Sequence, residues 1–217
     1  CPYCDFNSHE GFTESLQQPY IDALLADLDS QQTWWRDRPI ESIFIGGGTP
    51  SLFEGRWLGT LLEGVSNRVT LSRHVEITLE SNPGSAESSR FAEYRAAGVN
   101  RLSIGVQSFN DRALHALGRI HSSSEARRAL DMVATVGFQR WNIDLMHGLP
   151  GQDAQSGAAD LTEAVGRSAG HISWYQLTIE RNTHFWSAPP ALPDEGTLES
   201  IQQAGEAILA DAGLHQY

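Results

Sequence analysis

Only two cysteines occur in the 217 residues, Cys1 and Cys4. A pair three positions apart cannot build a disulfide framework, and thiols this sparse suit a reducing, cytoplasmic setting. Positive charge is also scarce. Fifteen basic residues stand against 27 acidic ones, for a net charge of −12. That argues against nucleic acid as the main partner, because phosphate binding needs clustered Lys or Arg. No long basic run exists, and Arg127-Arg128 reads as a solvated helix face. No apolar run approaches the ~20 residues of a membrane span. No signal peptide, low-complexity tract or solenoid-length repeat is visible. What is present, 40% hydrophobic and 19% charged residues, fits one globular domain long enough to bury a full core.

Short apolar, β-branched runs alternate with longer amphipathic ones. The strand-like runs are 42–45, 75–80, 101–106, 141–146 and 172–179. The helix-like stretches are 18–35, 52–65, 86–97, 111–117, 123–136, 158–168 and 194–212. Leu24, Leu25 and Leu28, for example, share a helix face, and Gly98, Gly137 and Gly213 mark helix ends. Alternation of this kind predicts α/β architecture, with parallel strands and right-handed crossovers. The strands read as apolar through most of their length, as strands buried on both faces do. Five strands, with a sixth expected just before Cys1, suit an open or partial (β/α) barrel better than a closed one of eight.

In such sheets chemistry collects at the C-terminal edge. There the strand ends carry Gly46-Gly47-Gly48-Thr49, Glu80-Ser81-Asn82, Gly105-Val106-Gln107-Ser108, Asp144-Leu145-Met146-His147 and Gln176-Leu177-Thr178. Three glycines after a strand make a tight turn, or let a ligand approach backbone amides with no Cβ in the way. They lack the Gly-Lys-Ser/Thr of a phosphate loop and the spacing of a dinucleotide fingerprint. Glu80, Gln107 and Asp144 serve as turn caps or as acceptors for a ribose diol or an ammonium group. Arg119 either clamps a carboxylate bidentately or makes a surface ion pair. Cys1 and Cys4 suit zinc, an iron–sulfur cluster or a redox pair. Zinc would need two further ligands, with His9 the nearest candidate. His147 reads as a satisfied turn residue. Trp174 and Tyr175, adjacent in one strand, face opposite sides.

Four ordered motifs carry a resemblance. Cys1-Pro-Tyr-Cys4-Asp-Phe-Asn-Ser-His, Gly46-Gly-Gly-Thr-Pro-Ser51, Ser103-Ile-Gly-Val-Gln-Ser-Phe109 and Asp144-Leu-Met-His-Gly-Leu-Pro150 resemble the radical S-adenosylmethionine (SAM) superfamily. More narrowly, they resemble the oxygen-independent coproporphyrinogen III oxidase family, above all its heme-chaperone branch. The resemblance covers nearly the whole chain and implies a partial (β/α)6 TIM-like barrel with its first strand truncated, residues 1–217 forming an incomplete core domain. The family holds a [4Fe–4S] cluster on Cys-x3-Cys-x2-Cys, of which Cys1 and Cys4 match the second and third cysteines; the first would lie upstream. In the family, S-adenosylmethionine chelates the open iron, and an electron from the cluster cleaves the sulfonium to a 5′-deoxyadenosyl radical.

Carried over by position, Tyr3 would meet the cofactor beside the cluster, and Gly47, Gly48 and Thr49 its methionine part. Glu80, Gln107, Arg119, Asp144 and Thr178 match other cofactor-binding positions. The resemblance implies heme and a heme-acceptor protein as partners, with a flavodoxin or ferredoxin as electron donor. The oxidases carry a fourth cysteine where this chain has Phe6, which favours the chaperone branch over decarboxylation. The branch's His-Asn-x-x-Tyr-Trp heme motif does not occur in these residues. His184 and His215 read as surface histidines or, on this resemblance, as heme-facing residues.

Overall fold

The computed structural model describes residues 1–6, 13–167 and 170–217. His9 and the end of the helix expected at 158–168 lie outside the described residues. Five strands form one sheet: β1 Ile40–Ile45, β2 Leu71–Ser81, β3 Arg101–Gln107, β4 Arg140–His147 and β5 His171–Gln176. Every neighbouring pair is parallel, and the spatial order is the chain order. A (β/α) barrel winds in this way, and here five strands form an open half-barrel.

The helices are α1 Glu14–Ser30, α2 Gln32–Trp35, α3 Gly55–Ser66, α4 Ser85–Ser88 and α5 Phe91–Ala97, followed by α6 Asp111–Ala116, α7 Ser123–Val136, α8 Ala154–Gly166, α9 His184–Ser187 and α10 Glu195–Asp211. Their ends follow local chemistry. Ser122 and Asp153 close capping boxes with Glu125 and Ser156, satisfying amides that a first helical turn leaves free. Gly98 and Gly137 end α5 and α7 at φ +111° and +85°, where a side chain would be strained.

The strands are not apolar on both faces, contrary to the sequence expectation. One face of each strand packs against helices: Ile43 and Ile45, Ile77 and Leu79, Leu102 and Ile104, Ile143 and Leu145, and Trp174 all belong to the main core. The other face lines a trough with Glu80, Arg101, Ser103, Asn142, Asp144 and Ser173 among its residues. Parallel strands are commonly covered on both sides. Here the concave side faces a cavity, so polar residues alternate with apolar ones at period two.

Smaller differences follow local rules. The fifth strand stops at Gln176 rather than continuing to 179. The expected helix at 18–35 is two helices, and the one at 86–97 breaks at Ser89–Arg90. Arg128 is exposed, as expected, whereas Arg127 is only partly so. The Arg127 guanidinium donates to both Glu163 oxygens at 2.7 and 2.8 Å, tying α7 to α8, and lies over the Phe109 ring. His147 is buried with its Nδ1 unpartnered, stacked 4.3 Å from Trp174, so it is not a satisfied turn residue. Among the described residues, no helix is long and apolar enough to cross a membrane.

Candidate active site at the open end of the half-barrel

A cavity of about 700 Å³ occupies the concave side of the sheet, a size typical of sites for small ligands. Tyr3, Cys4, Gly47, Gly48, Thr49 and Glu80 line it, as do Gln107, Arg119, Asp144 and Thr178. Cys1 is outside the lining but adjoins it, with the Arg119 Nη1 donating to its Sγ at 3.4 Å. The eleven residues expected to bind the cluster or S-adenosylmethionine therefore gather in one region. His184 and His215 are exposed and do not line this cavity.

Each wall has a local cause. Cys1 and Cys4 sit on one turn, closed by the Cys4 amide donating to the Cys1 carbonyl at 3.2 Å; both are free thiols. The turn is seated from below, where the Phe185 amide donates to the Pro2 carbonyl at 2.9 Å. After β1, Gly47 has φ +97° and open space where a Cβ would stand. Gly46 differs, since a Cβ there would meet Phe44 and Glu80 within 3.0 Å. The Gly47 amide donates to Glu80 Oε2 at 3.2 Å. The triple glycine thus both packs a carboxylate and presents bare backbone to the cavity.

Gln107 ends β3 at φ +68°, a left-handed conformation uncommon without glycine, where the pairing with β4 is also irregular. Its Oε1 accepts from the Tyr175 hydroxyl at 2.8 Å. Arg119 reaches in from the loop before α7. Its Nη2 donates to Asn82 Oδ1 at 2.6 Å and to the Gly105 carbonyl at 3.1 Å, and its buried Nε has no partner. Thr178 lies beyond the last strand, not within it, with its hydroxyl donating to Glu180 at 2.8 Å.

The electrostatics set the cavity apart from the surface. Burial raises the Asp144 carboxyl to about 6, against hydrogen bonds that oppose the rise. Burial also raises Glu80, with the Gly47 amide pulling the other way. Burial raises Tyr3 despite Arg119, and raises Tyr175 as well. Two carboxyl groups with weakened acidity in one cleft mark a functional site. Sequence reasoning did not select Tyr175, Asn82, Ser103 or Asn142 as site residues. Alternate positions along β3, β4 and β5 would have pointed to three of them, given that one sheet face is wet.

The radical SAM superfamily profile matches residues 1–162. The chain belongs to the radical SAM superfamily. Among curated relatives of this radical SAM chain, the heme chaperone HemW of Escherichia coli K12 is 49% identical over 217 residues, all of this chain and 57% of that protein. HemW of Haemophilus influenzae is 47% identical over the whole chain and 58% of its own length. A mouse protein named radical S-adenosyl methionine domain-containing protein 1, mitochondrial, is 38% identical, over 50% of its length. The chain thus spans a little over half the length of the chaperones it matches. Among solved structures, coproporphyrinogen III oxidase (HemN) from Escherichia coli superposes with a TM-score of 0.85 at 25% identity, over 98% of this chain and 50% of that one.

The residues present fit the cofactors that the superfamily implies. A thiol pair is the donor type an iron–sulfur cluster requires. It adjoins a cavity with a glycine cradle open to the ligand, an unpartnered buried Nε on Arg119 and two weakly acidic carboxyls. Cys1 and Cys4 are the two thiols these 217 residues offer.

Proposed function

We propose that this chain is the cofactor-binding core of a cytoplasmic heme chaperone of the radical SAM type. Cys1 and Cys4 would supply thiolate ligands to a [4Fe–4S] cluster. The cavity lining would hold S-adenosylmethionine. Gly47, Gly48 and Thr49 meet its methionine part, and Tyr3 meets it beside the cluster. Glu80 and Asp144 accept from its hydroxyl or ammonium donors, Arg119 and Gln107 fix its polar groups, and Thr178 closes the far end. When bound, the cluster and the sulfonium supply one-electron chemistry. The chain's part is to orient the ligand and hold it in a cleft of lowered polarity.

The observation that carries this reading is the bridge made by Arg119. One guanidinium touches the Cys1 sulfur and, through Asn82 and Gly105, the ends of β2 and β3, so thiols and polar rim belong to one site. The full protein then binds heme and passes it to an acceptor protein, with a flavodoxin or ferredoxin as electron donor. The chaperone names of the full-coverage relatives support this half. A second reading, oxidative decarboxylation of coproporphyrinogen III, is favoured by the likeness to HemN. Phe6, 58% exposed at the cavity wall, stands where those oxidases carry a further cysteine.

Anaerobic reconstitution of the full-length protein tests the reading. Bound iron and sulfide in equal amounts, S-adenosylmethionine binding and heme transfer to an apo-acceptor are expected. A colourless, iron-free preparation would sink the cofactor reading. Formation of protoporphyrinogen IX would replace the chaperone with the oxidase.

A further inference from the structure

Beneath the cofactor-facing residues lies a second tier of side chains on the same concave face: Ser103 on β3, Asn142 on β4 and Ser173 on β5. Asn142 is only 2% exposed. Its Nδ2 lies 2.6 Å from Asp144 Oδ1, 2.7 Å from Ser103 Oγ and 2.9 Å from Ser173 Oγ, three acceptors that share its two N–H groups. Ser103 passes its own hydroxyl on to both Asp144 oxygens, each at 3.2 Å. The amide can sit only one way round. Reversing it would set Oδ1 against the carboxylate and leave the serines without their donor. Its Oδ1 accordingly faces His171 Nδ1, on the neighbouring strand. An acceptor there requires the proton on Nδ1, so His171 fixes the amide and the amide fixes the carboxylate. Three strands thereby converge on one side chain at the edge of the cavity.

We propose that Asn142 is a positioning residue, which aims the Asp144 carboxylate into the cavity and keeps it in its charged, accepting form for the cofactor. The inference rests on the reading of Asp144 as a cofactor acceptor and adds the element that makes it one. Burial alone drives Asp144 toward its neutral acid, which would present a donor where the ligand also presents donors. Hydrogen bonds from Ser103, Ser173 and Asn142 are what oppose that drift, as donors to a carboxylate do. Asn142 is the member of the set held from the far side, so its loss frees the serines as well.

The other charged groups around Asp144 come from every wall. Glu80 faces it from β2, Tyr175 and His171 from β5, and Arg101 from β3. Tyr3 and Cys4 sit on the N-terminal turn, and Arg119 lies on the loop before α7. Glu80 adds to the rise and belongs to the same site. A shift produced by changing Asn142, an uncharged residue, is therefore separable from these groups, which all remain in place.

The test uses the reconstituted full-length protein. The carboxylic C=O band of Asp144, identified by its loss in Asp144→Asn, is followed by infrared titration. S-adenosylmethionine affinity is measured by calorimetry between about pH 5 and about pH 8. Burial lifts the Asp144 carboxyl of this chain to about 6, the reference for the shift. Asn142→Leu, close in volume, should raise the Asp144 midpoint by about one unit; binding that needs the ionised carboxylate then weakens about twofold at about pH 7 and approaches about a tenfold loss only toward about pH 5. Asn142→Ser restores one hydroxyl donor and should recover part of both effects. An unmoved midpoint in folded Asn142→Leu overturns the proposal. If that variant fails to fold, an unmoved midpoint in Asn142→Ser does so. If Asp144→Asn binds the cofactor as well as the parent, the cofactor reading of Asp144 fails, and the infrared midpoint still decides the role of Asn142.

Discussion

Asp160, on α8, is 5% exposed and accepts two short hydrogen bonds, from the Ser108 hydroxyl at 2.6 Å and the Phe109 amide at 2.7 Å. Ser108 in turn accepts from the Asn110 amide at 3.0 Å. This carboxylate therefore holds the loop that leaves β3 directly after Gln107, the residue with left-handed backbone in the cavity wall. Replacing Asp160 by Ala removes both acceptors and orphans a buried amide. Each hydrogen bond to a charged group is worth about 1.5–3 kcal/mol, and an orphaned buried donor costs about 1–3. The burial penalty of the carboxylate, visible in its raised pKa, is relieved and offsets part of this, leaving a net loss of about 3 kcal/mol. At about 2–4 °C per kcal/mol for a domain of this size, Tm falls by about 6–12 °C.

Asp160→Asn keeps one acceptor for the Phe109 amide and costs about 1 kcal/mol or less. The pH dependence has a definite sign. A carboxyl raised in the folded state contributes its full stability below the unfolded value of 3.8, and loses it as pH rises through the folded value. The deficit of Asp160→Asn relative to the parent should therefore be widest near pH 4 and narrow toward neutrality. Thermal unfolding by circular dichroism reads the global effect, and hydrogen exchange at the Phe109 amide reads the local one. Retained exchange protection in Asp160→Ala, or a deficit that widens with rising pH, would refute this account.

Other predictions follow from close contacts. Gly46→Ala places a Cβ 2.8 Å from Phe44 Cε1 and 2.9 Å from Glu80 Oε2; it should push Glu80 off the Gly47 amide and weaken S-adenosylmethionine binding several-fold by calorimetry, with secondary structure intact. Gly205→Ala drives a Cβ into the Trp174 ring, and this overpacking of α10 on β5 should cost about 1–3 kcal/mol in denaturant titration. A double-mutant cycle on Arg127 and Glu163 should give a coupling of about 1 kcal/mol or less, because both side chains stay about a third exposed.

Strand positions were legible because Val, Ile and Leu cluster at even intervals and Gly98 and Gly137 punctuate the helices that intervene. The polar C-terminal edge was legible for the same reason: one short apolar run ended in Glu80, another was followed by Gln107, and Asp144 lay close to the end of a third. The wet concave face was less so. Ser103, Asn142 and Ser173 sit within apolar runs, and period-two alternation in a parallel sheet reads as noise unless a cavity lies on one side. The role of His147 was hidden as well, since stacking on Trp174 depends on a neighbouring strand and not on flanking residues. The end of β5 was drawn too late because Leu177 and Ile179 are apolar, yet Leu177 serves a smaller cluster with Met146, Leu149 and Phe185 beneath the cysteine turn.

The alternating concave face also guards the fidelity of folding. If β4 slipped by a single position against its neighbours, Asn142 and Asp144 would be driven among the helix-facing leucines and isoleucines, and Ile143 and Leu145 would be turned toward water. The residues that serve chemistry are thus also the ones that make a misaligned sheet untenable. Substituting them with apolar side chains would permit wrongly threaded states even where the correct one survived.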